Sequence, residues 1–172
     1  RTSFSTVLVN QPYVTSLEQL YERAALALPQ FERTVEALAR ATGGLAVVAP
    51  LKGKERAKLK ALFKYKDAGG GGVAWYRLTD IVRGTLVFDS VRGMYDGLEA
   101  VVQCADFEVK ELNDRYQLPM ASGYCDIQLV VQLAQHMCEL QLTTEAMHRA
   151  KQTSGHRTFE VVRELRAAIP EG

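Results

Sequence analysis

The chain has 172 residues, of which 47% are hydrophobic and 24% charged, and its formal net charge is +1. This length suits one domain with an adequate core, and the composition excludes a wholly disordered chain. Three cysteines without CxxC spacing exclude a disulfide framework and a cysteine zinc site, so a reducing environment is expected.

The first predicted element is a helix near the N-terminus. Ser16 is its expected N-cap, with Gln19 three residues later as in a capping box, and apolar residues then recur at helical spacing. Pro29 interrupts the pattern, so one kinked helix and two short helices remain open, and Gly43 ends it. The uncharged residues 2–14 are expected to form an extended lead-in.

The rest of the chain alternates between strand and helix patterns. In order, these are a short apolar run at 46–50, a basic helix at 52–65, a glycine loop at 69–72, a buried strand at 81–88, an amphipathic helix at 91–102, strands at 107–112, 127–133 and 137–142, and a helical region at 145–169. This order predicts an α+β fold, a central mixed sheet of about four to five strands flanked by helices. We expect a single domain, 1–172, with an N-terminal helical segment, 16–44, and a catalytic core, 51–169.

Two acidic residues stand out because of the strands that hold them. Asp80 opens the buried strand at 81–88, and Glu139 lies inside the apolar strand at 137–142. A buried carboxylate costs free energy unless it meets a cation or a hydrogen-bond donor. Two carboxylates beside a bank of lysines and arginines suit a site for Mg²⁺ and a polyphosphate.

The same residues also fit a plainer interpretation, in which the basic helix is a solvated face and Asp80 is a capping residue. The sequence contains no Walker A, GxSxG or HExxH motif, and its three histidines lack metal-ligand spacing. No apolar run reaches the length of a membrane-spanning helix, so no membrane partner is expected.

Five fragments in order give the chain a resemblance to a known family, the RelA/SpoT-like pyrophosphokinases, or alarmone synthetases. They are KGKERA at 52–57, LTDIVRGTLVF at 78–88, NDRYQLPMASGY at 113–124, CELQL at 138–142 and AMHRAK at 146–151. Each fragment is weak by itself, but their shared order covers most of the chain. The resemblance implies the synthetase fold, which is nucleotidyltransferase-like.

The resemblance also implies roles for individual residues. Asp80 and Glu139 are expected to be the catalytic, metal-holding carboxylates, with Glu139 either binding a second Mg²⁺ or polarising the attacking hydroxyl. The residues expected to grip the ATP phosphates are Lys52, Lys54, Arg56, Lys60 and Arg83. The acceptor side is expected to comprise Tyr124, on which the base stacks, together with Gln128, Asn113 and His156.

Three departures point to the toxin branch of the family. Members that use guanosine nucleotides typically carry a lysine where Met120 stands and a histidine where Gln128 stands, and Asn113 replaces another lysine. The toxin branch includes type VI secretion effectors that make (p)ppApp and toxins that modify the 3′ end of tRNA. The sequence begins at Arg1 rather than Met, which suggests a piece of a longer effector.

The leading hypothesis is therefore a Mg²⁺-dependent pyrophosphokinase that transfers pyrophosphate from ATP to the ribose 3′-hydroxyl of ADP, AMP or ATP, giving (p)ppApp and AMP. Alternatives are a (p)ppGpp synthetase acting on GDP or GTP, a toxin acting on the tRNA 3′ end, and a catalytically silent nucleotide-binding module. We expect the domain to act in the cytoplasm, including that of a target cell after secretion, and to have a cognate immunity protein. Near-neutral charge gives a nucleic-acid partner little support.

Overall fold

The computed structural model describes residues 9–65, 72–118 and 123–155. Within them, the helices and strands in chain order are α1 Leu17–Thr42, β1 Leu45–Val48, α2 Lys54–Lys64, β2 Arg83–Phe88, α3 Val91–Gln103, β3 Glu108–Asp114, β4 Ile127–Leu133, β5 His136–Thr144 and α4 Glu145–Ala150. A single 3₁₀ turn, Trp75–Arg77, precedes β2, and a π-helical turn, Lys151–Gly155, continues α4. The rest of the predicted helical region at 145–169 lies outside the described residues.

Helix α1 is continuous, which decides between the two possibilities left open by its proline. The Ser16 hydroxyl accepts a hydrogen bond from the Gln19 N–H, and the Gln19 side chain accepts one from the Thr15 N–H at 2.9 Å. Pro29 lies on the exposed side of α1, where water can satisfy the carbonyl that loses its donor. The helix ends at Gly43, whose φ of 70° is left-handed and therefore favours glycine.

The five strands form one mixed sheet in the order β1-β2-β5-β4-β3, which confirms the predicted fold class. Strands β2 and β5 run parallel, and every other neighbouring pair of the sheet is antiparallel. The register places Arg83 of β2 beside Glu139 of β5, and Gln128 of β4 beside Gln141 of β5. Residues that are 56 and 13 positions apart in the chain are thus side by side.

One face of the sheet is apolar and packs under α1 and α3. A Cβ added at Gly84 would lie 3.0 Å from the Phe31 ring of α1, so the inward positions of β2 face that helix. The register partner of Gly84 is Leu140, which is fully buried, as are Leu86 and Leu129. The alternating positions form the opposite, polar face, because successive side chains of a strand point to opposite sides.

Residues 9–14 of the expected extended lead-in pack against the rest of the fold. Gln11 is 3% exposed, and its side-chain amide donates to the carbonyls of Leu78 and Met137 at 3.1 and 2.8 Å. Its side-chain oxygen accepts from the Met137 N–H at 2.8 Å, so one side chain ties this segment to β5. Among the described residues, no helix is both long and apolar enough to span a membrane.

Candidate functional site

Asp80 lies at the start of the polar face, between two lysines. It is 7% exposed, and its Oδ2 accepts hydrogen bonds from Lys52 Nζ at 2.5 Å and from Lys60 Nζ at 2.8 Å. Burial would raise the pKa of the Asp80 carboxyl, but the charges and hydrogen bonds of Lys60 and Lys52 lower the pKa to about 2. Asp80 is therefore ionised at neutral pH.

The backbone on both sides of this cluster is held by contacts from other elements. The Lys52 N–H donates to the Ile81 carbonyl at 3.1 Å, which joins the segment before α2 to the segment before β2. The Tyr21 hydroxyl of α1 donates to the Lys52 carbonyl. Burial, and then the charge of Asp80, raise the pKa of Tyr21. Tyr21 of α1 therefore lies beside the charged cluster.

Glu139 lies in the middle of β5 and is half-buried on the polar face. Its Oε2 accepts from Gln128 Nε2 at 2.6 Å, and its Oε1 accepts from Gln141 Nε2 at 2.9 Å. Its backbone N–H donates to the Val82 carbonyl at 3.0 Å, between Asp80 and β2. The strand that carries Glu139 is thus anchored two residues from Asp80.

Lys60 is influenced by both carboxylates. Lys60 is hydrogen-bonded to Asp80, and burial of its ammonium group would lower the Lys60 pKa. The charge of Asp80, with a smaller contribution from Glu139, overrides burial and raises that pKa. Arg83 follows Asp80 by three residues in the chain, and it is the register partner of Glu139 on the neighbouring strand.

The predicted phosphate-gripping residues occupy two kinds of position. Lys52, Lys60 and Arg83 belong to the cluster of charges around Asp80. Lys54 is exposed, with its Nζ 5.4 Å from the centre of the Tyr21 ring. Arg56 is exposed one helical turn before Lys60, on the same side of α2. The predicted phosphate-binding side chains therefore range from buried, at Lys52, to exposed, at Lys54 and Arg56.

Tyr124 is held by a buried charged pair that sequence analysis missed. Its hydroxyl donates to Asp126 Oδ2 at 3.1 Å, and Arg115 Nε donates to Asp126 Oδ1 at 2.5 Å. Asp126 is fully buried, and burial followed by the Asp126 charge raises the pKa of Tyr124. Arg115 and Lys151 lie 6.0 and 5.6 Å from the centre of the Tyr124 ring, so two cations flank this aromatic side chain.

Two of the other predicted acceptor residues, Asn113 and Gln128, carry neutral amides. Asn113 of β3 donates to the Glu111 carboxylate at 2.7 Å, and its register partner is Gln128. Both residues line a groove of about 810 Å³ at the β3 edge, with Asp114 and Arg115 among its other walls. His156 and Met120 lie outside the described residues.

Lys151 and Gln141 are further polar residues of this face that the sequence-based assignment left without a role. Lys151 Nζ donates to Gln141 Oε1 at 2.8 Å. Burial lowers the pKa of Lys151, and the charges of Asp126 and Glu139 oppose that effect. Gln141 follows Glu139 by two residues, so strand alternation places both on one face, a signal that was present in the sequence.

A magnesium ion fits these residues only with help from a substrate. The described ranges contain no group of three or more histidine, cysteine or acidic side chains that could hold a metal ion. Mg²⁺, however, is usually bound by one or two carboxylates plus substrate phosphates and water. Asp80 Oδ1 is buried without a hydrogen-bond partner among the described residues, so it is an available oxygen ligand.

Comparison with known proteins gives matches to solved structures. No protein-family model and no curated protein matches the sequence. A GTP pyrophosphokinase family protein from Streptococcus pneumoniae superposes with a TM-score of 0.70 at 14% identity, covering 91% of this chain and 82% of that chain. The small alarmone synthetase 1 from Bacillus subtilis, bound to its product pppGpp, gives 0.68 at 16% identity, covering 87% and 86%. The type VI effector Tas1, in complex with its immunity protein, gives 0.54 at 22% identity, covering 90% and 78%.

Proposed function

We propose, from the alarmone-synthetase fold that the chain shares with these structures, that it is an ATP-dependent nucleotide pyrophosphokinase. Its acceptor is proposed to be an adenosine nucleotide, so that the products are (p)ppApp and AMP. The observation that carries this proposal is the ionised Asp80 between Lys52 and Lys60, with Glu139 on the adjoining polar face. A buried carboxylate can bind the metal ion, and two neighbouring ammonium groups can neutralise the charge of the polyphosphate bound to it.

The proposed reaction breaks one bond and forms one. The acceptor 3′-oxygen attacks the β-phosphorus of ATP, the bond between that phosphorus and the α–β bridging oxygen breaks, and AMP leaves. Phosphoryl-type transfer depends on positioning and on charge stabilisation more than on covalent work by the protein. Lys52, Lys60 and Arg83 would neutralise the charge that develops on the transferred phosphates.

The two carboxylates would share the remaining tasks. Asp80 and Glu139 would hold Mg²⁺, which when bound screens the phosphate charges and supplies a Lewis acid. Glu139 would also orient the acceptor hydroxyl and take its proton on a carboxylate oxygen. The two amide hydrogen bonds, one to each carboxylate oxygen, fix the direction of that side chain.

An adenosine acceptor is proposed because Asn113 and Gln128 stand where guanosine-using members of the resembled family carry a lysine and a histidine. Asn113 and Gln128 provide no positive charge for acceptor phosphates, and their amides already bind Glu111 and Glu139. A guanosine acceptor is the second candidate, because a structure of the same fold contains pppGpp. The Tyr124 ring would serve as a stacking surface for either base.

A toxin role and an immunity partner are also part of the proposal. They are supported by the likeness to Tas1, which was solved in complex with its immunity protein. The domain would then act in the cytoplasm of a target cell and deplete its ATP. Co-purification of a tight inhibitor from the native host would support this role, and full growth of bacteria expressing the active domain would contradict it.

One incubation tests both the reaction and the acceptor. The purified protein receives ATP, Mg²⁺ and equal amounts of ADP and GDP, and the products are resolved by anion exchange and mass spectrometry. We expect AMP together with a 3′-pyrophosphorylated adenosine nucleotide. Product on guanosine alone would overturn the acceptor, and absence of both AMP and any pyrophosphorylated product would overturn the enzyme.

Matched variants distinguish the effect of a charge lost from the site from that of a charge lost elsewhere on the surface. Asp80→Asn and Glu139→Gln each remove one negative charge from the cluster and should abolish product formation. Glu55→Gln removes a negative charge from the exposed Glu55–Lys58 pair of α2 and should leave the rate unchanged. Equal losses in all three variants would show that the cluster has no special role.

A further inference from the structure

Two hydrogen bonds in series lead from Lys151, which has no assigned role in the reaction, through Gln141 to Glu139, and a third bond reaches Glu139 from Gln128. Lys151 Nζ donates to Gln141 Oε1 at 2.8 Å, and Gln141 Nε2 donates to Glu139 Oε1 at 2.9 Å. Gln128 Nε2 donates to the other oxygen of Glu139 at 2.6 Å. Each carboxylate oxygen of Glu139 therefore accepts one amide N–H, and one of the two amides is bonded to a lysine.

Lys151 and Glu139, bonded to opposite ends of the Gln141 amide, together determine which way it faces. An ammonium group has donors only, whereas an amide has an acceptor oxygen at one end and a donor nitrogen at the other. With its oxygen bound to Lys151, the Gln141 amide must present its nitrogen to Glu139, where a charged acceptor strengthens the bond. Without Lys151, the Glu139 oxygen is the one partner in this chain of bonds that fixes the direction of the Gln141 amide.

The position of Lys151 suits a supporting role. It begins the π-helical turn after α4, ten residues beyond Gln141, and it is half-buried. Its Nζ also lies 5.6 Å from the centre of the Tyr124 ring, which is tied to the buried Asp126. One ammonium group therefore contacts both the support of Glu139 and the proposed stacking surface.

We propose that Lys151 is a positioning residue, which acts through Gln141 to hold the Glu139 carboxylate in its working direction. This inference rests on the proposed pyrophosphokinase function. Residues that orient a ligating or reacting group commonly contribute 10- to 100-fold to activity when removed. Lys151→Met, which keeps the length of the side chain but loses its donors, should accordingly lower kcat about 10-fold.

A double-mutant cycle distinguishes action through Gln141 from direct action on a substrate. Steady-state kinetics are measured for Lys151→Met, Gln141→Leu and the double variant. If Lys151 acts through Gln141, the lysine substitution costs less than about 2-fold once Gln141 is gone. The KM values for ATP and the acceptor should stay within about 2-fold of wild type in every variant.

Control variants make each outcome decisive. Arg149→Met removes a positive charge from the same region, where Arg149 pairs with Glu145 on the exposed surface, and should leave kcat unchanged. Lys151→Arg restores a donor and should recover part of the lost rate. An undiminished loss in the Gln141→Leu background, or a loss confined to the acceptor KM, would overturn the positioning role.

A spectroscopic measurement tests the same chain of bonds without turnover. Side-chain amide signals of Gln141 are followed by NMR in protein labelled with ¹⁵N-glutamine. Lys151→Met should shift these signals and Arg149→Met should not, whether or not the protein makes any product. An unmoved Gln141 amide in Lys151→Met would refute the inference, whereas a wild-type protein that releases no AMP would refute only the proposed function.

Discussion

Acidification from pH 7 to pH 5 should destabilise the protein through one buried histidine. His136 begins β5, is 3% exposed, and neither of its ring nitrogens has a hydrogen-bond partner among the described residues. Burial, followed by the charge of Arg23, lowers the pKa of His136 from 6.5 to about 4. The unfolded chain therefore binds this proton more strongly than the folded one does.

The size of the effect follows from that difference in pKa. One pKa unit corresponds to about 1.4 kcal/mol, so the gap between 6.5 and about 4 corresponds to a loss of about 3 kcal/mol in the free energy of unfolding. The penalty fades as the pH rises above 6.5, where the histidine becomes neutral in both states, and is complete once the pH falls below about 4. At pH 5 it amounts to about 2 kcal/mol.

Urea unfolding at the two pH values measures this loss. Wild type should lose about 2 kcal/mol between pH 7 and pH 5, at an unchanged m-value, and His136→Leu should lose little. His148→Leu is the matched control, because His148 is a half-buried histidine on α4 and its removal should preserve the wild-type response. If wild type and His136→Leu lose stability equally on acidification, the buried neutral histidine is not the cause.

Three further predictions concern the site and the packing beneath it. Lys60→Met should lower kcat/KM for ATP by about 10- to 1000-fold in the product assay, because Lys60 is proposed to stabilise developing phosphate charge, whereas Lys58→Met on the exposed face should change it less than about 2-fold. Gln11→Ala should lower the free energy of unfolding by about 1–3 kcal/mol in urea, because buried backbone groups lose their partners; an unchanged midpoint would show that water replaces the amide. Gly97→Ala should lower the free energy of unfolding by about 1–3 kcal/mol, because the new Cβ would lie 2.3 Å from the Phe88 ring. A melting temperature above that of wild type would contradict this packing.

Local patterns were sufficient for most elements of the fold. The strand expected at 127–133 has those bounds in the structure, where Asp126 precedes the apolar run and a turn at Ala134 and Gln135 follows it. The expected N-cap Ser16 also forms its capping bond, which depends on residues within one turn. The packing of the lead-in was not predicted, because the partners of Gln11 are 67 and 126 residues away.

The candidate site was accessible from the sequence only in part. Asp80 and Glu139 stood out because a carboxylate next to or within an apolar strand needs a reason to be there. Nothing local indicated that Lys52 and Lys60, among the six lysines and arginines of 52–64, bind Asp80. The Arg115–Asp126 pair and the bond from Lys151 to Gln141 were likewise unforeseen.

The sequence by itself determined the periodicity of each element, its caps and the residues suited to bind phosphate, because these depend on neighbours within a few positions. Only the tertiary structure decided the strand order β1-β2-β5-β4-β3 and its register. That register brings Arg83 to Glu139 and Gln128 to Gln141. Partner choice between distant side chains depends on how separate elements pack against one another, and periodicity along the chain carries no information about that packing.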